Sequence, residues 1–167
     1  VHKYPIQANE ASVLDDVHDS LRSQRAKGTP VAAVVIEPVQ STTGQVASDR
    51  FLKELRSITK DNESALIVDA SETGCGATGK SFWGYTGPEP DYLVFGKRTQ
   101  VEGFYSTPES KRSSISLGGD QLRLLQFGVI QDTIVKDRLV DKVDLTGASL
   151  RKQVESVASK KSNVTGV

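Results

Sequence analysis

Short apolar runs that end in a charged residue alternate with amphipathic segments along this chain, and no other sequence feature limits its possible folds as much. Three runs are followed by a charge: 31–36 by Glu37, 65–68 by Asp69, and 91–96 by Lys97. Continuous β-branched runs are typical of parallel sheets with both faces buried. Strands that alternate with helices predict an α/β domain with a mostly parallel sheet flanked by helices.

Two amphipathic helices are predicted beside these strands. Residues 9–27 place apolar side chains three and four positions apart, and Gly28 and Pro30 end the pattern. Ser48 is a suitable N-cap for a second helix. The apolar face of that helix consists of Phe51, Leu52, Leu55 and Ile58. Residues 71–87 are rich in glycine, which predicts a long loop.

The character of the chain changes after residue 119. Residues 101–106 predict one more short strand. From Asp120, apolar residues recur at helical spacing as far as Leu139, and a last, more polar helix follows. We therefore expect two parts: residues 1–119 form part of an α/β domain, and residues 120–167 form a long helix and a following helix.

The composition excludes several classes of function. The chain of 167 residues is 37% hydrophobic, and its apolar runs are far shorter than the ~20 residues that a transmembrane helix needs. Its 21 basic and 21 acidic side chains balance, so we expect no general attraction to nucleic acids. One cysteine, Cys75, and two histidines, His2 and His18, cannot form a common structural zinc site.

Lys97 and Asp69 are candidates for chemistry, and each also has a purely structural explanation. A lysine after a strand is usually a solvated surface residue, but desolvation beside a buried strand can make its amine a nucleophile that forms a Schiff base. A strand-end aspartate often bonds the backbone amides of the next loop. It can instead face a ring nitrogen and keep that nitrogen protonated. Together at the carboxyl ends of parallel strands, the two side chains could hold an electrophilic cofactor.

Several motifs occur in the order of one known family. The segments are Ala-Val-Val-Ile-Glu-Pro-Val-Gln-Ser at 33–41, residues 47–56, Val-Asp at 68–69 with Thr-Gly at 73–74, residues 76–83, and Phe-Gly-Lys at 95–97. Together they resemble the 4-aminobutyrate aminotransferases, class III members of the fold-type I enzymes that use pyridoxal 5'-phosphate. The resemblance runs from about Tyr4 to about Val157.

The resemblance implies a fold and an activity. The fold would be part of the large domain of a fold-type I enzyme, with the C-terminal helices leading toward the small domain. The activity would transfer an amino group from an omega-amino acid, 4-aminobutyrate, to the keto acid 2-oxoglutarate through lysine-bound pyridoxal phosphate. Such enzymes are homodimers of the mitochondrial matrix or the cytoplasm, with active sites at the subunit interface.

The resemblance also implies roles for individual residues. Lys97 matches the Schiff-base lysine, which then moves a proton between the substrate carbon and the cofactor carbon. Asp69 matches the residue that binds the pyridinium nitrogen, and Glu72 matches a position near the phenolic oxygen of the cofactor. Glu37 matches a glutamate on the substrate side, although a strand-end charge explains it nearly as well. Residues 82–83, Phe-Trp, would mostly pack within the loop.

The chain departs from the family at positions that bear on the cofactor. Glu72 stands where the family usually has glutamine, and a carboxylate there would repel a phenolate. Thr42 replaces an acidic residue that pairs with a downstream arginine, and Ile115 replaces a threonine that reaches the cofactor phosphate of the neighbouring subunit. Residues 98–103 place charged side chains where the family has a small, glycine-rich turn.

Two hypotheses of different class follow. The family's phosphate loop, ring-stacking aromatic residue and one substrate arginine lie upstream of the match to Val1, and a second arginine lies beyond the match to Val167. We therefore expect a chain that is incomplete and inactive on its own. It is either the central part of a working transaminase or a catalytically inactive relative, kept as a structural or interaction subunit. Retention of Asp69 and Lys97 favours the first hypothesis, and the departures favour the second.

Overall fold

The computed structural model describes residues 8–106 and 120–160, and these residues form four α-helices and four strands. In chain order the elements are α1 Glu10–Ala26, β1 Ala33–Ile36, α2 Asp49–Asp61, β2 Ala65–Asp69, β3 Tyr92–Phe95, a 3-10 turn Lys97–Thr99, β4 Gly103–Ser106, α3 Gln121–Lys136 and α4 Leu139–Ala158. The predicted α/β class is confirmed. The boundary between two domains near residue 119 stays a prediction.

The four strands form one mostly parallel sheet in the order β1-β2-β3-β4. Strands β1, β2 and β3 are parallel, and β4 runs antiparallel to β3. The register pairs Val35 with Ile67, and Asp69 with Val94. The carboxyl ends of the three parallel strands therefore lie at one edge of the sheet.

The hydrophobic core lies between one face of the sheet and helices α1 and α2. Its members are Val13, Leu14, Val17, Leu21, Ile36, Ala47, Phe51, Leu52, Leu55, Leu66 and Val68. The four residues from α1 and the three from α2 are those that the helical spacing predicts for the buried faces. Burial of these two stripes holds both helices on the sheet.

The second face of the sheet is open. Side chains alternate along a strand, so Leu66 faces the helices while Ile67 and Asp69 point to the other side. Val35 lies on that other side and is 63% exposed. The expectation that the first apolar run is buried on both faces is therefore wrong for this chain, because the described residues cover only one of them.

A buried carboxylate joins the starts of α1 and α2. The Oγ atom of Ser48 accepts a hydrogen bond from the backbone N of Phe51 at 3.1 Å, which confirms the predicted N-cap. Glu10 is buried and accepts hydrogen bonds from the backbone N of Ser48 at 2.9 Å and from its Oγ at 2.7 Å. The cap of one helix is thus held by the first residue of the other.

Asp91 fixes the entrance to β3. Its carboxylate accepts hydrogen bonds from both Nη atoms of Arg56 on α2, and from the backbone N of Leu66 on β2 at 2.7 Å. Its own backbone N donates to the oxygen of Leu66 at 3.0 Å. The hydrogen bond from Arg56 holds the pKa of Asp91 below its usual range. One side chain therefore ties α2, β2 and β3 together.

Helices α3 and α4 pack against each other and expose much apolar surface. Their sequence spacing predicts helices, and this is confirmed. Leu125 and Val129 on α3 and Leu145 and Leu150 on α4 are exposed, whereas Ile134 is buried. Among the described helices, none has the length and hydropathy to cross a membrane.

We expect Asp91→Asn to lower the free energy of unfolding by roughly 1–3 kcal/mol at neutral pH, because it weakens a partly buried charged hydrogen bond. The pKa of Asp91 is lowered in the folded protein, so its stabilisation is present above the usual value of 3.8 and is lost as the pH falls through the folded value. Urea denaturation should show the difference from wild type shrinking below about pH 4.

Glu54→Gln is the control, because Glu54 forms an exposed pair with Arg50 on the same helix. It should change the unfolding free energy by less than about 0.5 kcal/mol. Equal stability of Asp91→Asn and wild type at pH 7 would contradict the proposed role of Asp91.

Candidate active site

The carboxyl ends of β2 and β3 bring Asp69 and Lys97 to the same edge of the sheet. Parallel pairing aligns Asp69 with Val94, and the backbone N of Ala70 donates to the oxygen of Val94 at 2.9 Å, which extends the ladder by one residue. Lys97 begins the 3-10 turn that follows β3. This edge is where open parallel sheets usually bind ligands.

The carboxylate of Asp69 is oriented by the loop that follows β2. Its Oδ1 atom accepts hydrogen bonds from the backbone N of Ser71 at 3.0 Å and from the Oγ of Ser71 at 2.6 Å. This is the loop-capping contact that the sequence left open as one alternative. A carboxylate has about four acceptor positions, so these two bonds are compatible with a further bond to a protonated ring nitrogen.

Lys97 has a strained backbone and an exposed side chain. Its φ angle is 51°, in the left-handed region, which costs a residue other than glycine about 1–2 kcal/mol. Strain of this kind is concentrated at functional sites. The side chain is 62% exposed. Of the two alternatives for this lysine, the exposure agrees with a solvated surface residue and not with desolvation beside a buried strand.

Glu72 connects the two strand ends. Its carboxylate forms an ion pair with the Nζ atom of Lys97, and its backbone oxygen accepts a hydrogen bond from the guanidinium of Arg98. The sequence resemblance implies a position near the cofactor for Glu72 and does not indicate its contact with Lys97. The charge of Glu72 was the available signal for this contact. A carboxylate at a position where the resemblance implies a neutral residue can pair with the amine of the candidate lysine.

Glu37 lies one strand further out at the same edge. Its Oε2 atom accepts a hydrogen bond from the backbone N of Ser41 at 3.0 Å, so the side chain closes the turn after β1. This contact agrees with the strand-end explanation and orients the carboxylate. Ile115, which stands where the resemblance implies a phosphate-binding threonine, lies outside the described residues.

An aromatic cluster joins the loop after β2 to the sheet and to α3. Trp83 lies 5.4 Å from both Phe95 and Tyr105, measured between ring centroids, and Phe95 stacks on Phe127 at 5.9 Å. Phe82 packs edge-on against Trp83 at 4.6 Å. The predicted packing role of residues 82–83 is confirmed, and the cluster fixes the loop that carries Glu72.

The side chains at this edge suit a pyridine ring that carries an aldehyde. Asp69 offers an oriented anion for a protonated ring nitrogen, and Lys97 offers an accessible amine for the carbonyl. Glu72 already holds that amine, so the amine has to leave Glu72 to react. The donor set therefore fits pyridoxal phosphate through Asp69 at the end of β2 and Lys97 in the turn after β3.

Known protein sequences are similar to this chain. The sequence profile of the family described as Aminotransferase class-III matches residues 2–167. The 4-aminobutyrate aminotransferase of Dictyostelium discoideum is 37% identical over 141 residues, which cover 78% of this chain and 28% of that protein. The human enzyme, named 4-aminobutyrate aminotransferase, mitochondrial, is 36% identical over 89% of this chain and 33% of its own length. The chain thus spans about a third of the length of these relatives.

Solved structures share the fold. A phospholyase from Arthrobacter matches with a TM-score of 0.82 over 100% of this chain and 45% of that chain, at 21% identity. The lysine aminotransferase of M. tuberculosis matches with a TM-score of 0.78 over 95% of this chain and 40% of that chain, at 24% identity. At such low identity the likeness concerns the fold alone.

We expect Gly84→Ala to destabilise the protein more than Gly44→Ala. Both glycines have a φ angle near +70°. A Cβ atom on Gly84 would lie 2.7 Å from the Cβ of Thr73, whereas nothing lies within 4 Å of one on Gly44. Gly44→Ala should cost about 1 kcal/mol for the left-handed backbone, and Gly84→Ala roughly 1–3 kcal/mol more for the clash. Urea denaturation measures both, and equal losses would contradict the close packing of this loop.

Proposed function

This chain belongs to the class III aminotransferases, and we propose that it is the part of a transaminase that carries the lysine and the aspartate of the pyridoxal-phosphate site. The observation that carries the proposal is the placement of Lys97 and Asp69 at one edge of adjacent parallel strands. Its similarity to 4-aminobutyrate aminotransferases supports amino transfer from 4-aminobutyrate, an omega-amino acid, to 2-oxoglutarate.

Lys97 and Asp69 have complementary roles in this proposal. When bound, pyridoxal 5'-phosphate supplies an aldehyde that takes up amino groups and a ring that accepts electrons. Asp69 holds a proton on the ring nitrogen, because its carboxylate favours the charged form. The Nζ atom of Lys97 would hold the cofactor at its aldehyde carbon, and the same atom would move a proton between the substrate carbon and the cofactor carbon.

Glu37 and Glu72 flank these two residues in the proposed site. Glu37, oriented by the backbone N of Ser41, faces the substrate and attracts the ammonium group of an omega-amino acid. Glu72 lies on the cofactor side, beside the amine of Lys97. Both carboxylates thus attract cationic groups, Glu37 that of the substrate and Glu72 that of Lys97.

The remaining groups of the proposed site lie outside the third of the relatives' length that this chain spans. They belong to other parts of the full protein or to a partner subunit, which is why a homo-oligomer is the proposed assembly. The mitochondrial matrix is the proposed location, because the mouse, rat and human relatives are named mitochondrial. The cytoplasm is the alternative, since the name of the D. discoideum relative gives no location.

A second function is a structural or interaction subunit without catalysis. One observation favours it: the amine of Lys97 is already paired with Glu72, at a position where the sequence resemblance implies a neutral side chain. A protein of this kind would keep the aminotransferase fold and use its surfaces to bind other proteins. Loading with the cofactor distinguishes the two functions.

Addition of pyridoxal phosphate to the purified protein should produce a visible absorbance band that Lys97→Ala abolishes. Lys80→Ala is the matched control, because Lys80 is also exposed and also paired with a carboxylate, that of Asp144 at 3.2 Å. Asp69→Asn should weaken cofactor binding by roughly tenfold or more, because a charged hydrogen bond is worth about 1.5–3 kcal/mol.

The band should persist in Lys80→Ala. An equal band in Lys97→Ala would refute the assigned role of Lys97. The absence of a band in the wild type and in all variants would favour the structural subunit.

When the remaining groups of the proposed site are present, the cofactor-loaded protein should form glutamate from 4-aminobutyrate and 2-oxoglutarate. Lys97→Ala should lower this rate by about 10²–10⁴-fold, because it removes the group that moves the proton. Glutamate formed from 2-oxoglutarate is measured with 4-aminobutyrate and, as a comparison, with alanine as the amino donor. A strong preference for alanine would contradict the assignment of an omega-amino substrate.

A further inference from the structure

We propose that Glu72 is a positioning residue that holds Lys97 in a resting orientation and has to release it before the amine reacts. The proposal rests on the proposed function in that Lys97 is taken as the reactive lysine. It adds that a residue of the same chain controls when the amine of that lysine can react. The observation behind it is the ion pair between the carboxylate of Glu72 and the Nζ atom of Lys97.

Both partners of this ion pair are attached to well-fixed backbone. The next residue after Glu72, Thr73, is buried and donates from its Oγ1 atom to the oxygen of Trp83 at 3.0 Å. Gly74 follows, and its backbone N donates to the oxygen of Ala70 at 2.9 Å. On the other side, Lys97 starts a 3-10 turn with a left-handed φ angle. The pair therefore forms without the cost of ordering two loops.

Arg98 does not compete with Lys97 for the carboxylate of Glu72. A guanidinium next to the lysine in sequence could compete for the same carboxylate. Instead, the Nη1 atom of Arg98 donates to the backbone oxygen of Glu72. Arg98 thus anchors the main chain of Glu72, while the side chain of Glu72 engages the amine.

The ion pair conflicts with reaction at the amine. An ammonium group has three donors and no acceptor, so it has no lone pair with which to attack a carbonyl. Lys97 must lose a proton to solvent and swing away from Glu72 before its nitrogen can form a bond to carbon. An exposed ion pair is worth about 0.2–1 kcal/mol, which corresponds to roughly a 1.4- to 5-fold slower reaction.

Lys80 provides a matched comparison within the same molecule. Its Nζ atom pairs with Asp144 at 3.2 Å, and its side chain is 66% exposed, close to the 62% of Lys97. The two lysines therefore differ little in access to solvent. A change at Glu72 should affect Lys97 alone, and a change at Asp144 should affect Lys80 alone.

Acetylation with a limiting amount of an N-hydroxysuccinimide ester, followed by peptide mass spectrometry, tests the proposal. The lysine nitrogen attacks the ester carbonyl, loses its proton to the buffer and expels N-hydroxysuccinimide, so no cofactor is needed. We expect Lys97 to be acetylated about 1.4 to 5 times faster in Glu72→Gln than in the wild type, with Lys80 unchanged. Asp144→Asn should accelerate Lys80 and leave Lys97 unchanged.

Salt provides a second readout that a merely structural role would not change. The Debye length falls from about 30 Å at 0.01 M to about 3 Å at 1 M ionic strength. Acetylation of Lys97 in the wild type should therefore rise with salt, and the rise should be smaller in Glu72→Gln. Glu72→Asp, which keeps the charge, should remain closer to the wild type than Glu72→Gln does.

Equal acetylation of Lys97 in wild type and folded Glu72→Gln at low salt would overturn the proposal. If Glu72→Gln does not fold, the wild type decides, because acetylation of Lys97 that does not respond to salt would overturn it as well. Acetylation does not require pyridoxal phosphate. The inference can therefore fail while the cofactor binds, and it can hold when no cofactor binds.

Discussion

The position of the candidate site depends on the register of β2 against β3, and the carboxylate of Asp91 fixes that register. Asp91 accepts hydrogen bonds from the backbone N of Leu66 on β2 and from Arg56 on α2, directly before β3 begins. Strand side chains have a period of two, so a slip by one residue would turn Asp69 toward the helix-covered face. It would also move Lys97 along the edge of the sheet. A structural contact at one end of the strands thus positions the reactive groups at the other.

The open face of the sheet gives Asp69 access to a ligand. Core side chains such as Leu66 fill the face under α1 and α2, and Asp69 points to the opposite face, where Val35 is exposed. Helix α4 packs closely against the loop after β2. A Cβ atom added to Gly79 in that loop would lie 2.7 Å from the Cα of Asp144. The C-terminal helices therefore support the loop that carries Glu72 and leave its ion pair with Lys97 at the surface.

Local patterns in the sequence predicted the elements, and they could not predict contacts between distant residues. Ser48 was identified as an N-cap because the capping pattern is visible in the residues that directly follow it. Exposure of Val35 could not be predicted, because a continuous apolar run does not reveal how much of the sheet the chain itself covers. The pairing of Glu72 with Lys97 depends on a loop and the end of a strand meeting. The left-handed backbone of Lys97 is likewise not encoded by its local propensity.

Reductive trapping tests the central claim that Lys97 is the residue of this chain that binds an aldehyde cofactor. The protein is mixed with a limiting amount of pyridoxal phosphate and reduced with borohydride, and the modified lysine is located by mass spectrometry. The placement of Lys97 at the edge of the sheet where Asp69 can hold the ring nitrogen predicts that the pyridoxyl group is found mainly on Lys97. Modification spread evenly over exposed lysines, with Lys80 labelled as strongly as Lys97, would contradict it.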